Sequence, residues 1–309
     1  MCESVYQTPE WEEFKLKTGY QKSYRIDDIL VLQKRLPLGL SMLYSPMVSE
    51  SQYRAIKSKE FVAKIKEIAK DCNALFYRLE LDIAVSEFKT PNSLMQTPDF
   101  GKSFEEMQPE NNWILDLAQT EEELLSDMKQ KGRYNIKIAE KANINLTYSD
   151  KKGRELDAFY DQYEKTGRRH NISYRTKKYF EALIEIFGSK GYARVYTAWQ
   201  DNVALASAVM LYYNKEALYL YGGSSDQMRN LMAPYLLHWQ MIKDAKELGC
   251  DKYNFLGVAP DDQPQHPWAG ITRFKKQFGG YQRDIIGCYD LPIRPFLYKL
   301  FKIAEKLRR

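Results

Sequence analysis

Cysteine and histidine are scarce in this chain, and neither is grouped. The four cysteines among 309 residues, Cys2, Cys72, Cys250 and Cys288, lie far apart without a C-x-x-C pair, which argues against a structural zinc site or a disulfide framework. His170, His238 and His266 share no ligand spacing, so each reads as a structural or surface residue and no metal is expected. No uninterrupted apolar run reaches the ~18 residues of a membrane span, and the N-terminus does not resemble a secretory leader. The expected compartment is therefore the reducing cytoplasm. Neither sign of charge dominates: 46 Lys and Arg stand against 41 Asp and Glu, a net +5, which suits an anionic partner without demanding one.

Another absence is local. An apolar strand ending Leu218-Tyr219-Leu220-Tyr221-Gly222-Gly223 hands over to a polar loop and a long helix, a common way to build a ligand cleft. The loop reads Gln227-Met228-Arg229-Asn230-Leu231-Met232-Ala233-Pro234 and contains no glycine. An acyltransferase that cradles coenzyme A places glycine-spaced N–H groups at such a helix start to reach the pyrophosphate. The topology thus suggests acyl transfer with a carrier other than coenzyme A, and no cofactor is expected.

What is present is ordinary globular composition, 44% hydrophobic and 28% charged, with 23 tyrosines, in a length that suits two domains. A degenerate duplication organises it. Strand Ser41–Tyr44, a helix over 52–71 and strand 74–82 precede a second series: a strand ending at Tyr221, a helix over 234–248 and strand 252–257. The helix ends rhyme, Ile68-Ala69-Lys70-Asp71-Cys72 against Asp244-Ala245-Lys246-Glu247-Leu248-Gly249-Cys250, so two related α/β units are the economical reading. Between them, Thr90 to Gln108 reads as an irregular loop around Pro91 and Pro98. Trp113–Leu117 then reads as a buried strand, Thr120 with Glu123 as a capping box, and Lys129–Lys141 as a basic helix whose bland reading is a solvated linker. Helices over 154–166 and 176–187 precede a meander over 193–200, 204–213 and 217–221, with turns at Asp201-Asn202 and Asn214-Lys215. This antiparallel entry is typical of N-acetyltransferase-like sheets.

Taken in order, Arg133-Tyr134-Asn135-Ile136-Lys137-Ile138-Ala139-Glu140-Lys141, Tyr221-Gly222-Gly223-Ser224, Pro234-Tyr235-Leu236-Leu237-His238-Trp239 and Phe274-Lys275-Lys276-Gln277-Phe278-Gly279 resemble the Fem family of tRNA-dependent, peptidoglycan bridge-forming aminoacyltransferases. The resemblance spans about Leu30 to Leu291. It implies an α/β (α+β) architecture of two tandem N-acetyltransferase (GNAT)-like domains, without the helical hairpin that some members insert. The domains are expected at 1–148, with 286–309 packing back on the first, and at 149–285. The implied reaction moves an amino acid from aminoacyl-tRNA to the free amine of a muramyl pentapeptide, UDP-linked or lipid-linked, in a monomeric protein that is cytoplasmic or peripheral at the inner face of the membrane.

The ester is already activated, so the enzyme must position two substrates, take a proton and stabilise an oxyanion. The resemblance places Lys275 near the reacting centre as the cation, its aromatic neighbours Phe274 and Phe278 anchoring a short helix at i and i+4; its bland reading is a solvated surface charge. Asp82, at the end of the strand 74–82, matches a carboxylate considered as proton acceptor, or is a turn or capping aspartate. For the acceptor's diphosphate the matches are Lys34 or Arg35, with Arg175 and Tyr179 four residues apart on one helix face. Tyr77, Tyr219 and Tyr221 are candidates to line the same cleft, and strand alternation gives Tyr219 and Tyr221 one shared face. Arg54, Lys57, Lys59, Lys64, Lys66 and Lys70, with the Lys129–Lys141 segment, are candidate tRNA contacts or plain solubilising charge. The amphipathic, basic C-terminal segment from Arg294 either packs on the first domain, the favoured reading, or touches an anionic membrane. Two further readings stay open: an acetyl-CoA-dependent N-acetyltransferase, and a non-catalytic RNA- or envelope-binding protein.

Overall fold

A computed structural model describes residues 4–87, 100–170 and 174–308. Cys2, Pro91, Pro98 and Asn171-Ile172-Ser173 lie outside the described residues, as does the side chain of His170. The chain forms two compact units, Met1–Glu110 with Asp284–Arg309, and Asn111–Arg283.

The first unit runs through α1 (Pro9–Lys17), β1 (Lys22–Ile26), β2 (Ile29–Arg35), β3 (Ser41–Val48), α2 (Glu50–Ile56), α3 (Lys59–Asp71), β4 (Ala74–Ala84) and the short β5 (Gly101–Lys102). The second comprises β6 (Asn111–Asp116), α4 (Glu121–Asp127), α5 (Gln130–Lys141), β7 (Asn145–Ser149), α6 (Arg154–His170), α7 (Lys177–Leu183), β8 (Ala193–Gln200), β9 (Val203–Tyr213), β10 (Glu216–Ser224), α8 (Ala233–Glu247), β11 (Lys252–Gly257) and α9 (Ala269–Lys275). The chain then returns to the first unit through β12 (Tyr281–Pro292) and ends in α10 (Pro295–Arg308).

The duplication read from the helix ends is a shared topology. In the first unit β3 and β4 pair in parallel across the α2–α3 crossover, and in the second β10 and β11 pair in parallel across α8. β12 pairs antiparallel with β4, and β6 with β11. Local chemistry explains the meander of the second unit. Asp201, Asn202, Asn214 and Lys215 all hold positive φ, the two-residue hairpin geometry that matches strand twist and that Asn and Asp tolerate.

Several expectations need correction. The helix expected over 52–71 is broken, because Ser58 takes an extended conformation and accepts from Phe61 N, starting α3 afresh. The strand expected to end at Asp82 continues to Ala84, which pairs with Ile285. Residues 101–102 of the expected loop form β5 on β12. Residues 111–148 group with the second unit, since β6 pairs β11 and α5 packs on α8. The basic segment at 129–141 is accordingly no free linker: Asn135, Ile136 and Ala139 are buried. Each unit has its own core, with Phe61, Ile65 and Ala69 of α3 buried on the first sheet, where one fully buried Phe contributes about 2–3 kcal/mol.

Candidate active site

The site of the second unit begins with an irregularity in β10. Tyr219 pairs with Met210 of β9, but Tyr221 pairs with Val209, so one extra residue is accommodated between them. Such a bulge reverses the alternation of side chains. Tyr219 and Tyr221 therefore do not share a face, contrary to the alternation argument. Tyr219 meets His238 of α8, ring centroids 4.6 Å apart, whereas Tyr221 meets Tyr163 of α6 at 5.7 Å and Phe180 of α7 at 5.0 Å.

The paired glycines that follow serve packing. A Cβ at Gly223 would lie 2.6 Å from the backbone carbon of Gln162, so only glycine admits α6 here, and the Tyr219 hydroxyl fills the place of a Cβ at Gly222.

Next to Tyr219 lies a cavity of about 610 Å³, lined by the end of β10, the start of α8, and α9 with its preceding loop. Lys275 reaches its wall. Phe274 and Phe278 anchor the α9 end as expected, Phe274 against Tyr235 at 5.0 Å and His238 at 5.2 Å, Phe278 against Phe255 at 5.4 Å. The lysine between them is not solvated: it is 6% exposed, donates from Nζ to the Gly257 carbonyl at 2.6 Å, and lies 5.9 Å from the Tyr219 ring centroid. Among the described residues no carboxylate pairs with it, and burial pushes its ammonium down to about 7. Lys276, one residue on, pairs with Asp261 at 2.6 Å over the Trp113 ring. Adjacent lysines thus divide into one buried donor and one surface charge.

His238 is the residue that sequence reasoning left without a role. It is buried, lines the cavity four residues after Pro234, and its Nδ1 lies 3.0 Å from the Tyr253 hydroxyl. Burial, with the charge of Lys275, holds its pKa down at about 3, so the imidazole is neutral at physiological pH. Its position one turn into the helix after a cleft-forming loop was the available signal. Arg169 and Arg229 also line the cavity, both paired to Asp226, at 2.5 and 3.6 Å.

The start of α8 bears on the choice of carrier. Met228 and Met232 hold positive φ without being glycine. Pro234 has no N–H, and Tyr235 N is occupied by Met232 O at 2.9 Å. The first turn therefore presents few free amides for a pyrophosphate.

A second cluster forms around Tyr221. The Tyr179 and Tyr221 hydroxyls are 3.1 Å apart, and the Arg175 guanidinium lies 5.3 Å from the Tyr179 ring centroid. These three expected residues are brought together, with Arg175 exposed. Lys34, Arg35, Tyr77 and Asp82 belong to the first unit. Lys34 and Arg35 are exposed at the end of β2. Tyr77 lines no cleft there: it is fully buried, packs on Phe61 and Phe100, and donates to Ser45 Oγ at 2.9 Å. Asp82 is half-buried within β4. Among the described residues no cluster of three or more His, Cys, Asp or Glu is arranged to hold a metal.

The FemAB family matches residues 95–199 and 192–306. The lipid II:glycine glycyltransferase of Staphylococcus aureus (strain MRSA252) is 22% identical in an alignment 404 positions long, spanning 99% of this chain and 94% of that protein. The crystal structure of FemX superposes with a TM-score of 0.83 at 21% identity, covering 97% of this chain and 94% of that one. A tandem GNAT protein from the clavulanic acid biosynthesis pathway superposes at 0.54 and 12% identity, covering 86% and 79%. These likenesses show the expected α/β fold of N-acetyltransferase-like units.

Proposed function

We propose a reaction from the premise that this chain belongs to the FemAB family and is an aminoacyltransferase: it transfers an amino acid to the free amine of a peptidoglycan precursor, and it takes that amino acid from aminoacyl-tRNA. The observation that carries the reading is the buried Lys275 ammonium, held by the Gly257 carbonyl on the wall of a cavity large enough for an aminoacyl ester and its ribose.

In this reading the ester carbonyl sits in the cavity with its oxygen toward Lys275. The acceptor amine attacks, a C–N bond forms, and charge gathers on the carbonyl oxygen. A buried ammonium fixed before the reaction stabilises that oxyanion with little reorganisation, by about 3 kcal/mol for one such donor. Collapse breaks the ester C–O bond, and the proton lost by the amine ends on the departing ribose oxygen. Asp82 remains the proposed proton acceptor and Arg175, Tyr179 and Tyr221 the proposed acceptor-binding group, with Lys34 or Arg35 for its diphosphate. Arg169 and Arg229 are suited to the phosphates next to the ester. Positioning supplies the larger share, up to roughly 7–11 kcal/mol in ideal cases.

The occupied and proline-blocked amides at the start of α8 weigh against coenzyme A, and the cost of burying an unpaired lysine weighs against a purely structural role. The test is incubation with mixed aminoacyl-tRNAs and a UDP-linked pentapeptide, followed by mass measurement. The expected product is heavier by one amino-acid residue. No product from any aminoacyl-tRNA, or an acetylated product from acetyl-CoA, would overturn the reading.

A further inference from the structure

The last helix has two faces, of which the protein uses one. In α10 the inward side is Tyr298, which donates to Asp290 at 2.6 Å, and Phe301, which packs on Phe76 at 5.8 Å and Phe104 at 6.0 Å. The outward side is Phe296, Leu300, Ile303 and Leu307, spaced i, i+4, i+7 and i+11 and therefore aligned in one stripe. These four are 74%, 49%, 56% and 83% exposed, too much contiguous apolar surface for a helix that only packs. The favoured reading of this segment, packing alone, accounts for Tyr298 and Phe301 but not for these four exposed residues.

Charge is concentrated in the same place. From Arg294 to Arg309 the sequence has six basic residues and one acid, Glu305, a surplus equal to the net +5 of the whole chain. Glu305 is itself paired to Arg308 at 2.7 Å. The remainder of the protein is electrically balanced.

A second exposed apolar residue lies at the same end of the first unit's sheet. Leu38, in the turn between β2 and β3, is 94% exposed and held at φ 60°, an unfavourable conformation for leucine. Ser41 after that turn pairs with Ala74, Asn73 donates to the Gly39 carbonyl at 3.0 Å, and Ile293 N and Arg294 N both donate to Leu75 O. The turn and the start of α10 therefore leave the same end of these strands, and exposed Lys34 and Arg35 stand at the foot of the turn.

We propose that α10 and the Leu38 turn form a docking surface for an anionic lipid bilayer, the apolar stripe entering the headgroup boundary while the flanking cations meet lipid phosphates. Exposure and charge carry this inference independently of the transfer chemistry; joined to it, they imply that the acceptor is presented by the bilayer.

The test is sedimentation of the full chain with vesicles, without substrates. Wild type should bind vesicles of equal parts phosphatidylcholine and phosphatidylglycerol, bind pure phosphatidylcholine poorly, and lose binding as salt is raised, because exposed charge is screened. The double variant Leu300→Glu/Ile303→Glu should lower the partition coefficient at least ~10-fold with its melting temperature unchanged, and Leu38→Ser should lower it further. Transfer to a soluble UDP-linked acceptor should survive in the double variant while transfer to a lipid-linked acceptor in vesicles falls. Failure of wild type to bind anionic vesicles, or full binding by the double variant, overturns the proposal. A concentration-dependent dimer that the double variant dissolves also overturns it, since the stripe would then be covered by a second copy. Vesicle binding without any transfer overturns the reaction and leaves the docking surface standing.

Discussion

The Lys275 ammonium and the His238 imidazole line the same cavity, and charge on the lysine adds to burial in keeping the histidine neutral. The buried wall of the site therefore sets the Lys275 cation beside an uncharged ring, among Tyr219, Tyr235, Phe255, Phe274 and Phe278, while Arg169 and Arg229 elsewhere on the lining are paired to Asp226. A low-dielectric wall strengthens the field of the buried ammonium at a reacting carbonyl. It also makes the charge costly to keep.

Removing the ammonium should cost turnover. Lys275→Ala is expected to lower kcat by ~10²–10³-fold with little change in the KM for the acceptor peptide, the signature of a group acting in the transition state. Steady-state kinetics with purified aminoacyl-tRNA measures both. A KM rise matching the fall in kcat would mean that Lys275 only helps to bind.

The pH dependence separates two roles for the same residue. With its pKa near 7, a lysine working as a cation loses activity as pH rises through about 7, whereas one working as a base gains it; the cation reading predicts the fall. His238, neutral from about pH 3 upward, contributes no step in this range. Stability moves in the opposite direction. The unfolded chain's lysine keeps its ordinary value of 10.5, so between about 7 and 10.5 the unfolded state binds more protons and stability rises with pH, by on the order of a few kcal/mol for this group. Lys275→Met should thus be more stable than wild type near pH 6.5, with the gap narrowing toward about pH 9.5. Urea denaturation at both pH values tests this, and an unchanged gap would show that Lys275 is not desolvated.

The glycines at the end of β10 should respond unequally. Gly223→Ala drives a methyl into the α6 backbone at Gln162 and Tyr163, which neither helix nor strand can yield cheaply, and should cost about 1–3 kcal/mol or more. Gly222→Ala meets the far end of the Tyr219 side chain, which can swing aside, so it should cost less stability while altering the cavity. Thermal unfolding orders the two variants, and an equal loss would contradict the close approach of α6.

Much of this fold was legible because its signals are local. The Asn- and Asp-bearing turns, the Thr120 capping box with Glu123 and the rhyme between helix ends each depend on a few neighbouring residues. The bulge in β10 depends instead on register against β9, which no periodicity in Leu218–Tyr221 reveals. The burial of Lys275 is non-local too, since its hydrogen-bond acceptor, Gly257, stands at the end of β11 rather than on the lysine's own helix. Tyr77 misled for the opposite reason: its phenol looks like a ligand contact in sequence, yet a single partner, Ser45, suffices to bury it.

The bulge gives the two tyrosines of β10 different surroundings. On a regular strand Tyr219→Phe and Tyr221→Phe would act on the same ligand. Here the Tyr221 hydroxyl stands 3.1 Å from that of Tyr179, beside Arg175, whereas Tyr219 belongs with Lys275. Tyr221→Phe and Arg175→Ala should both weaken acceptor binding, the arginine by about 10-fold or more because a charge-assisted contact to phosphate is lost, and together they should be less than additive because their partners are shared. Tyr219→Phe should leave acceptor affinity unchanged and alter turnover alone. Calorimetric titration of a UDP-linked pentapeptide into wild type, the three single variants and the Tyr221→Phe/Arg175→Ala double variant decides the matter: equal weakening by both tyrosine variants would place them on one ligand and contradict a strand that turns them to opposite faces.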